Sequence, residues 1–251
     1  MIELKSPADI AKMRRANRLV AGILSDMKTM IRPGISTMDL EERARELLAK
    51  SEGRPAFLGY RGYPCCLCAS LNDEVVHGIP SRKRVLREGD IISLDFGVVV
   101  DGWFGDAAFS VGVGRLAPEA EKLLRVTAEA LDRAVAVMRA GRRLSDIARA
   151  VQGHVEGHGF SVVTQFVGHG IGRAMHEEPQ VPNFGKPRPD YRLREGLVLA
   201  LEPMVNAGGS EVVLDDDGWT ARTADGSLSA HFEHSVAVTA DGPEVLSRFE
   251  S

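Results

Sequence analysis

Residues 91–113, IISLDFGVVVDGWFGDAAFSVGV, decide the fold of this chain. The runs 91–100 and 103–113 are rich in β-branched and aromatic residues, which are typical of strands. Asp101-Gly102 between them is a dipeptide that tolerates positive φ at both positions, as the tightest hairpin turns require. The stretch therefore predicts an antiparallel hairpin with a two-residue turn.

The register of this hairpin places two acidic residues on one face. Pairing across the turn joins residues whose numbers sum to 203, which sets Asp106 opposite Gly97. Asp95 is then the diagonal neighbour of Asp106, on the same side of the sheet. We expect the two carboxylates to share one surface.

Helical patterns lie on both sides of the hairpin. Ser6-Pro7 is typical of a helix start, and apolar residues then recur at helical spacing through a long first helix. Ser36 or Thr37 can cap a second helix, and two more helices are predicted at about 117–139 and 144–157. The remainder of the chain favours strands.

A short motif before the hairpin is repeated later in the chain. Leu-Arg-Glu-Gly occurs at 86–89 and again 107 residues later, at 193–196. Two further pairs of residues keep this offset, namely Gly34 with Gly141 and Asp39 with Asp146. We interpret the chain as two related αβ halves, approximately 1–114 and 115–251.

The repeat also aligns acidic residues. Counting nine residues from the leucine of each copy reaches Asp95 in the first half and Glu202 in the second, which predicts a carboxylate at the same strand position in each half. Glu233 is a looser counterpart of Asp106. Four converging carboxylates would repel one another and take up protons unless cations were present. Four carboxylates and a histidine suit two divalent ions about 3.5–4 Å apart, as in several classes of hydrolase.

Composition excludes several classes of protein. The chain has 251 residues, of which 44% are hydrophobic and 26% charged, as in an ordinary globular protein. A net charge of -4 argues against nucleic-acid binding, and neither a signal peptide nor an apolar stretch of roughly 20 residues is present. The three cysteines, clustered at 65–68, form no disulfide framework. We expect a cytoplasmic protein that does not contact membranes, with a monomer as the default state.

Seven blocks of sequence together resemble type I methionine aminopeptidases over nearly the whole chain. They are Asn72–Pro80, the strand containing Asp95, Asp101–Asp106, Gly168–Gly172, His176–Pro179, Glu202–Asn206 and Glu233-His234. The resemblance implies an α+β "pita-bread" fold, in which two pseudo-symmetric αβ halves form a central curved antiparallel sheet backed by helices. It also implies one catalytic domain spanning 1–251, which removes the initiator methionine from nascent proteins, near the ribosome, and prefers a small penultimate residue.

The resemblance assigns the metal ligands residue by residue. Asp95 is expected to bind one ion, His169 and Glu202 the other, and Asp106 and Glu233 to bridge both. The ions would activate water and polarise the scissile carbonyl. Cobalt, manganese, iron(II) and zinc all fit these ligands.

Three residues match the family's catalytic positions. His77 and His176 are expected to contact the scissile amide nitrogen and the carbonyl oxygen, respectively, and Glu202 is the candidate proton shuttle.

The substrate pocket and a further ion site also follow from the resemblance. The residues expected to surround the methionine side chain are Phe57, Tyr60, Tyr63, Cys68, Met175 and Trp219. Phe57 and Met175 depart from the family's common cysteine and phenylalanine, which affects the dimensions of the pocket. A loop for one monovalent cation is expected at Asn72, Glu74 and Ser229.

Three alternatives to this hypothesis differ in testable features. X-Pro peptidases are similar in fold and have the same five metal ligands. They usually carry an extra N-terminal domain, for which this chain is expected to have no room because its first helix starts by residue 7. Type II methionine aminopeptidases carry a long insertion that the segment between His176 and Glu202 is too short to hold. A non-enzymatic relative would have lost ligands, and all five are present.

Two other polar clusters are interpreted as structural. His154 and His158 lie one helical turn apart, but the intervening Glu156 fits neither common zinc-peptidase pattern, so we expect an ordinary helix end. The acidic run 215–217 before Trp219 is expected to be a solvated turn.

Overall fold

Helices and strands follow one another in the order expected from the sequence. The computed structural model describes residues 2–249. Its helices are α1 (Pro7–Met30), α2 (Thr37–Ala49), α3 (Pro118–Val137) and α4 (Leu144–Gly157), with a short 3-10 helix at Tyr60–Gly62. Its strands are β1 (Arg54–Pro55), β2 (Leu67–Leu71), β3 (Glu74–Val76), β4 (Ile91–Val100), β5 (Trp103–Gly112), β6 (Ser161–Val162), β7 (Gly168–Gly170), β8 (Glu177–Val181), β9 (Val198–Leu201), β10 (Met204–Asn206), β11 (Val212–Leu214), β12 (Ala221–Thr223), β13 (Ser229–His231), β14 (Glu233–Thr239) and β15 (Gly242–Val245).

The hairpin formed by β4 and β5 has the predicted register. Gly97 pairs with Asp106, and Asp95 pairs with Ala108. Asp101 and Gly102 have φ angles of 51° and 77°, which are the positive values that a two-residue turn of this hand requires. Asp95 and Asp106 therefore lie on the same face of the sheet.

Nine antiparallel strands form one sheet that runs through both halves. Seven of them follow the order β1-β4-β5-β14-β9-β7-β8, while β2 also pairs with β4 and β15 also pairs with β14. Within this sheet the halves meet where β5 pairs with β14, through two residue pairs, Glu233 with Ala108 and His234 with Ala107. We call this junction the seam. The halves also pair through β3 and β12, in a separate three-stranded sheet.

Each half has its own hydrophobic core beneath this sheet. Helices α1 and α2 bury their apolar faces against β2, β4 and β5, with Leu24, Leu40 and Phe96 inside. Helices α3 and α4 pack in the same way on the strands of the second half, around Leu123 and Ile147. No helix within residues 2–249 is both long enough and apolar enough to cross a membrane.

The repeated motif makes the same backbone contacts in both halves. Gly34 donates its N–H to the carbonyl of Leu86, and Gly141 donates to Leu193, each at 2.9 Å. Two isolated antiparallel bridges also keep the 107-residue offset, Ser36 with Val85 and Arg143 with Arg192. The sequence repeat thus corresponds to an equivalent turn that leads into β4 in one half and β9 in the other.

Helix starts differ in detail between the halves. The N-cap of α2 is Ser36, whose hydroxyl accepts from the backbone of Asp39 while the Asp39 carboxylate accepts from Ser36 N–H at 2.8 Å. In α4, the Asp146 carboxylate accepts from the backbone of Arg143 at 3.0 Å, but arginine has no acceptor to return the bond.

Candidate metal centre and substrate pocket

A cavity of about 340 Å³ opens over the seam. Every residue expected to bind metal, catalyse or contact the methionine side chain lines it, namely Phe57, Tyr60, Tyr63, Cys68, His77, Asp95, Asp106, His169, Met175, His176, Glu202, Trp219 and Glu233. Residues from both halves therefore converge on one site.

Three of the four acidic residues lie on strands of the sheet, and the fourth directly follows a strand. Asp95 and Asp106 lie on β4 and β5, and Glu233 is the first residue of β14, where it pairs with the same Ala108 that faces Asp95. Glu202 corrects one expectation, because it is the residue after β9 rather than a strand residue equivalent to Asp95. Its backbone carbonyl accepts from Asn183 at 2.9 Å, which fixes the chain as it leaves the strand.

The electrostatics of this group favour bound cations. Within residues 2–249, three buried carboxylate oxygens have no hydrogen-bond partner, Asp95 Oδ1, Asp106 Oδ1 and Glu233 Oε1. Burial raises the pKa of Asp95 to about 7, and burial together with the neighbouring carboxylates raises the pKa values of Asp106 and Glu233 well above their usual range. Buried acceptors without donors are satisfied by metal ions, so these residues fit a divalent metal centre.

His169 on β7 is oriented for metal ligation. Its Nδ1 lies 2.9 Å from the carbonyl oxygen of Gly170, which can only accept, so the proton is on Nδ1 and the lone pair is on Nε2. Nε2 lies 3.5 Å from Glu202 Oε1. Ligand atoms of Asp106, His169 and Glu233 all lie within 4.8 Å of one another. Burial, followed by the charge of His176, lowers the pKa of His169 to about 3, which keeps it neutral.

Two further histidines, His77 and His176, line the cavity. Tyr60 Oη lies 2.8 Å from His176 Nδ1, and the two rings stack with centroids 5.4 Å apart. His77 is held edge-on by Phe166, with ring centroids 5.4 Å apart, and its backbone has a φ of 63°. Burial lowers the pKa values of both imidazoles, that of His77 to about 4.

The residues expected to contact methionine form one apolar cluster. Phe57, Tyr63, Cys68 and Met175 are buried together, and Tyr60 and Trp219 pack against them. Gly97 makes room for Phe57, because a Cβ at position 97 would lie 2.7 Å from the phenyl ring. The side chain that departs from the family pattern is thus accommodated by a glycine.

The expected cation loop is built mainly from ion pairs. Ser229 donates its N–H to the Asn72 carbonyl at 2.8 Å, so these two residues are adjacent. The Glu74 carboxylate pairs with Arg222 at 2.7 Å and also with Arg84. The Glu74 side chain is therefore already paired with two arginines.

Sequence reasoning missed three residues that support the centre. His231 is buried, and its Nε2 lies 3.8 Å from Glu202 Oε2 with no hydrogen-bond partner within the described chain. Asn17, in the buried face of α1, accepts the Asp106 N–H at 3.3 Å. Phe166 holds His77. Asn17 could have been noticed in the sequence because it is a polar residue within the apolar stripe of α1. His231 could have been noticed because it lies two residues before Glu233.

The acidic run 215–217 is more than a solvated turn. The Asp217 carboxylate accepts the backbone N–H of Trp219 at 2.8 Å and two further bonds from Thr220. Asp215 pairs with Arg222 at 2.7 Å. The turn therefore positions the pocket residue Trp219.

Comparisons with known proteins agree with this geometry. The chain matches metallopeptidase family M24 over residues 11–240. It is 47% identical to a methionine aminopeptidase of Aquifex aeolicus, with 98% of each chain covered. The crystal structure of methionine aminopeptidase from Thermotoga maritima superposes with a TM-score of 0.96 at 45% identity, covering 99% of this chain and 100% of that one.

Similarity to X-Pro peptidases extends only to the fold. An Xaa-Pro dipeptidase from Bacillus anthracis superposes with a TM-score of 0.78 at 20% identity. The match covers 99% of this chain but 62% of the other. The pita-bread fold expected from the sequence is confirmed by both sets of structures.

Proposed function

The chain belongs to metallopeptidase family M24 and is a methionine aminopeptidase, and on that premise we propose that its single catalytic domain works through two divalent metal ions. Five ligands support the proposal: Asp95 for one ion, His169 and Glu202 for the other, and Asp106 and Glu233 for both. The observation that carries it is the set of buried carboxylate oxygens without donors at the seam. When bound, the two ions supply an activated water and polarise the scissile carbonyl.

His176 is proposed to stabilise negative charge on the substrate carbonyl oxygen. The Tyr60 hydroxyl, 2.8 Å from Nδ1, can donate to that nitrogen and so leave an N–H at Nε2 as a donor to the oxygen. Because the pKa of His176 is lowered by burial, the ring stays neutral near pH 7 and this hydrogen-bond arrangement is retained.

His77 and Glu202 are proposed to handle protons and the leaving amine. His77 is neutral, and its ring is held by Phe166 where it can contact the scissile nitrogen. Glu202 lies between the Nε2 atoms of His169 and His231, at 3.5 and 3.8 Å. A carboxylate held in that position can pass a proton from the attacking water to the departing amine.

The apolar cluster is proposed to select methionine. Phe57, Tyr63 and Trp219 present aromatic rings to the polarisable thioether, and Met175 adds a second sulfur at the pocket wall. We propose a small penultimate residue as the preferred neighbour, because His77, His176 and Phe166 crowd the cavity next to this cluster.

The proposal extends to the identity of the ions, a monovalent cation, and the location and oligomeric state of the protein. The ions are drawn from cobalt, manganese, iron(II) and zinc, because the nitrogen and oxygen ligands suit all of them. One monovalent cation is proposed at the backbone of Asn72, Glu74 and Ser229. The protein is proposed to act as a cytoplasmic monomer, on nascent chains near the ribosome.

A peptide assay tests the proposed activity and specificity. Protein stripped with a chelator and reloaded with cobalt or manganese should release methionine from Met-Ala-Ser, more slowly from Met-Leu-Ser, and leave Ala-Pro-Ala intact. Metal content measured on the same samples should be at least two ions per chain. Cleavage of the proline peptide alone would contradict the proposal.

A further inference from the structure

A second cluster of metal-ligating side chains lies between α3 and α4. Glu129 of α3 faces His154 of α4, and His158 lies at the C-cap of α4. One ligand atom from each residue lies within 4.8 Å of the other two. None of these three residues lines the substrate cavity, so the cluster is separate from the centre at the seam.

The tautomer of His158 leaves a nitrogen free to bind a metal. Its Nδ1 lies 2.8 Å from the carbonyl oxygen of His154, one helical turn earlier. Because a carbonyl can only accept, Nδ1 carries the proton and Nε2 keeps its lone pair. Ligating histidines are commonly oriented by a bond of this kind from the other ring nitrogen.

His154 supplies the second nitrogen. Its Nε2 is buried and lies 3.0 Å from Glu129 Oε2, with no other polar partner among residues 2–249. Ligand atoms held about 2.0–2.1 Å from one tetrahedral ion are roughly 3.3 Å apart, so small side-chain rotations would bring the three ligands to that distance. The Glu129 side chain is 40% exposed and the His154 side chain 6%, so an ion would reach the buried nitrogen from the side of Glu129.

Arginines near the cluster have two opposing effects on the binding of a cation. Arg125 pairs with Glu129 Oε1 at 3.1 Å, which holds the carboxylate in place and leaves Oε2 directed at His154. Arg133 is close enough to help lower the pKa of His154, after the larger effect of burial. A groove of about 500 Å³ beside the histidines is lined by Arg133 and also by Arg142 and Arg149. The arginines would weaken binding of a cation without occupying its ligands.

We propose that Glu129, His154 and His158 bind one divalent transition metal ion, with Zn(II) as the best fit and water in the fourth position. Two imidazoles and one carboxylate form a common zinc ligand set. The spacing of the histidines alone did not indicate this site, because the carboxylate comes from another helix rather than from Glu156 between them.

Zinc counting by equilibrium dialysis tests the proposal on the full chain. The wild-type protein should bind one more zinc ion than the double variant His154→Gln with His158→Gln under the same conditions. The matched control Glu156→Gln, which removes an exposed carboxylate from the same helix turn, should keep that ion. Equal zinc counts in the wild type and the double variant would overturn the site, and thermal melting in chelator confirms that each variant is folded.

A second variant separates the cation site from an anion site. Arg133→Gln removes a positive charge and should tighten zinc binding roughly severalfold, because repulsion of the ion falls. If the groove instead binds anions, the same change would leave zinc binding unaltered and abolish binding of inorganic phosphate. That outcome would contradict the proposal.

Discussion

The two halves deliver carboxylates to one centre by different routes. In the N-terminal half, β4 and β5 are joined by a two-residue turn, and Asp95 and Asp106 are diagonal neighbours within a continuous ladder. In the C-terminal half, β9 and β14 are separated by the segment 202–232, and Glu202 lies at the point where the chain leaves the sheet.

The difference lies in nitrogen donors as well as in connectivity. Glu202 lies close to the imidazoles of His169 and His231, whereas Asp95 pairs with Cys68 on one side and Ala108 on the other. Duplication therefore accounts for acidic positions, while segments of the second half supply the two imidazoles beside Glu202. The two ions would therefore have unequal environments.

The largest expected effect comes from removing the residue of either half that is proposed to bridge the ions. Asp106→Ala or Glu233→Ala should each lower methionine release by roughly a thousandfold or more and reduce bound metal, because both ions lose a ligand. Peptide turnover and metal content measured on the same preparation check this. Asp132→Asn, an exposed change, serves as the control, and an active variant that binds no metal would refute a shared centre.

Without metal ions, the repulsion between the carboxylates of the two halves should make the free energy of unfolding depend on pH. The folded-state pKa of Asp95 is raised from 3.8 to about 7, so the folded apo-protein binds more protons than the unfolded chain between these values. Its stability should fall as pH rises from about 4 to 7, on the order of 4 kcal/mol. Urea unfolding at several pH values measures this, and metal-loaded protein should not follow the same trend.

Substitution of His231, which lies in the second half, should lower activity less than substitution of a metal ligand. His231→Leu removes the imidazole beside Glu202 and should lower kcat about 10- to 100-fold with little change in KM, as for other residues that orient ligands. His231→Gln keeps an N–H donor and should restore most of the rate. Equal activity of the Leu and Gln variants would show that the imidazole only fills space.

The smallest effect comes from making the two halves more alike. Arg143→Ser would give α4 the reciprocal cap that Ser36 gives α2, and should stabilise the protein by about 1 kcal/mol. Thermal melting checks the change, and Ser36→Ala should shift the melting temperature in the opposite direction. A loss of stability in Arg143→Ser would show that its contact with Asp190 outweighs the cap.

Local patterns in the sequence predicted the hairpin and its acidic face. The turn residues set the register, so the pattern of residues alone was enough to place Asp95 and Asp106 side by side. The repeat aligned Glu202 with Asp95, although Glu202 follows β9 and does not lie within it. The inferences about the hairpin succeeded because a short turn and a period-two strand leave few alternatives.

Contacts between distant segments could not be predicted in this way. His231 reaches Glu202 only because β13 pairs with β10 next to the end of β9, and Glu129 meets His154 only through the packing of α3 on α4. No local sequence pattern predicts either of these two contacts. Asn17 is an intermediate case, since its unusual place in an apolar helix face could be seen but its partner could not.

The seam has a mechanical consequence. Two residue pairs are a short joint for a sheet that spans both halves, and Glu233 belongs to one of them. Ions held between Asp106 and Glu233 would cross-link β5 and β14 at this joint, so that metal binding would also stabilise the pairing between the two strands. Amide hydrogens near Ala107 and Ala108 should then exchange with solvent more slowly in the metal-loaded protein than in the apo-protein.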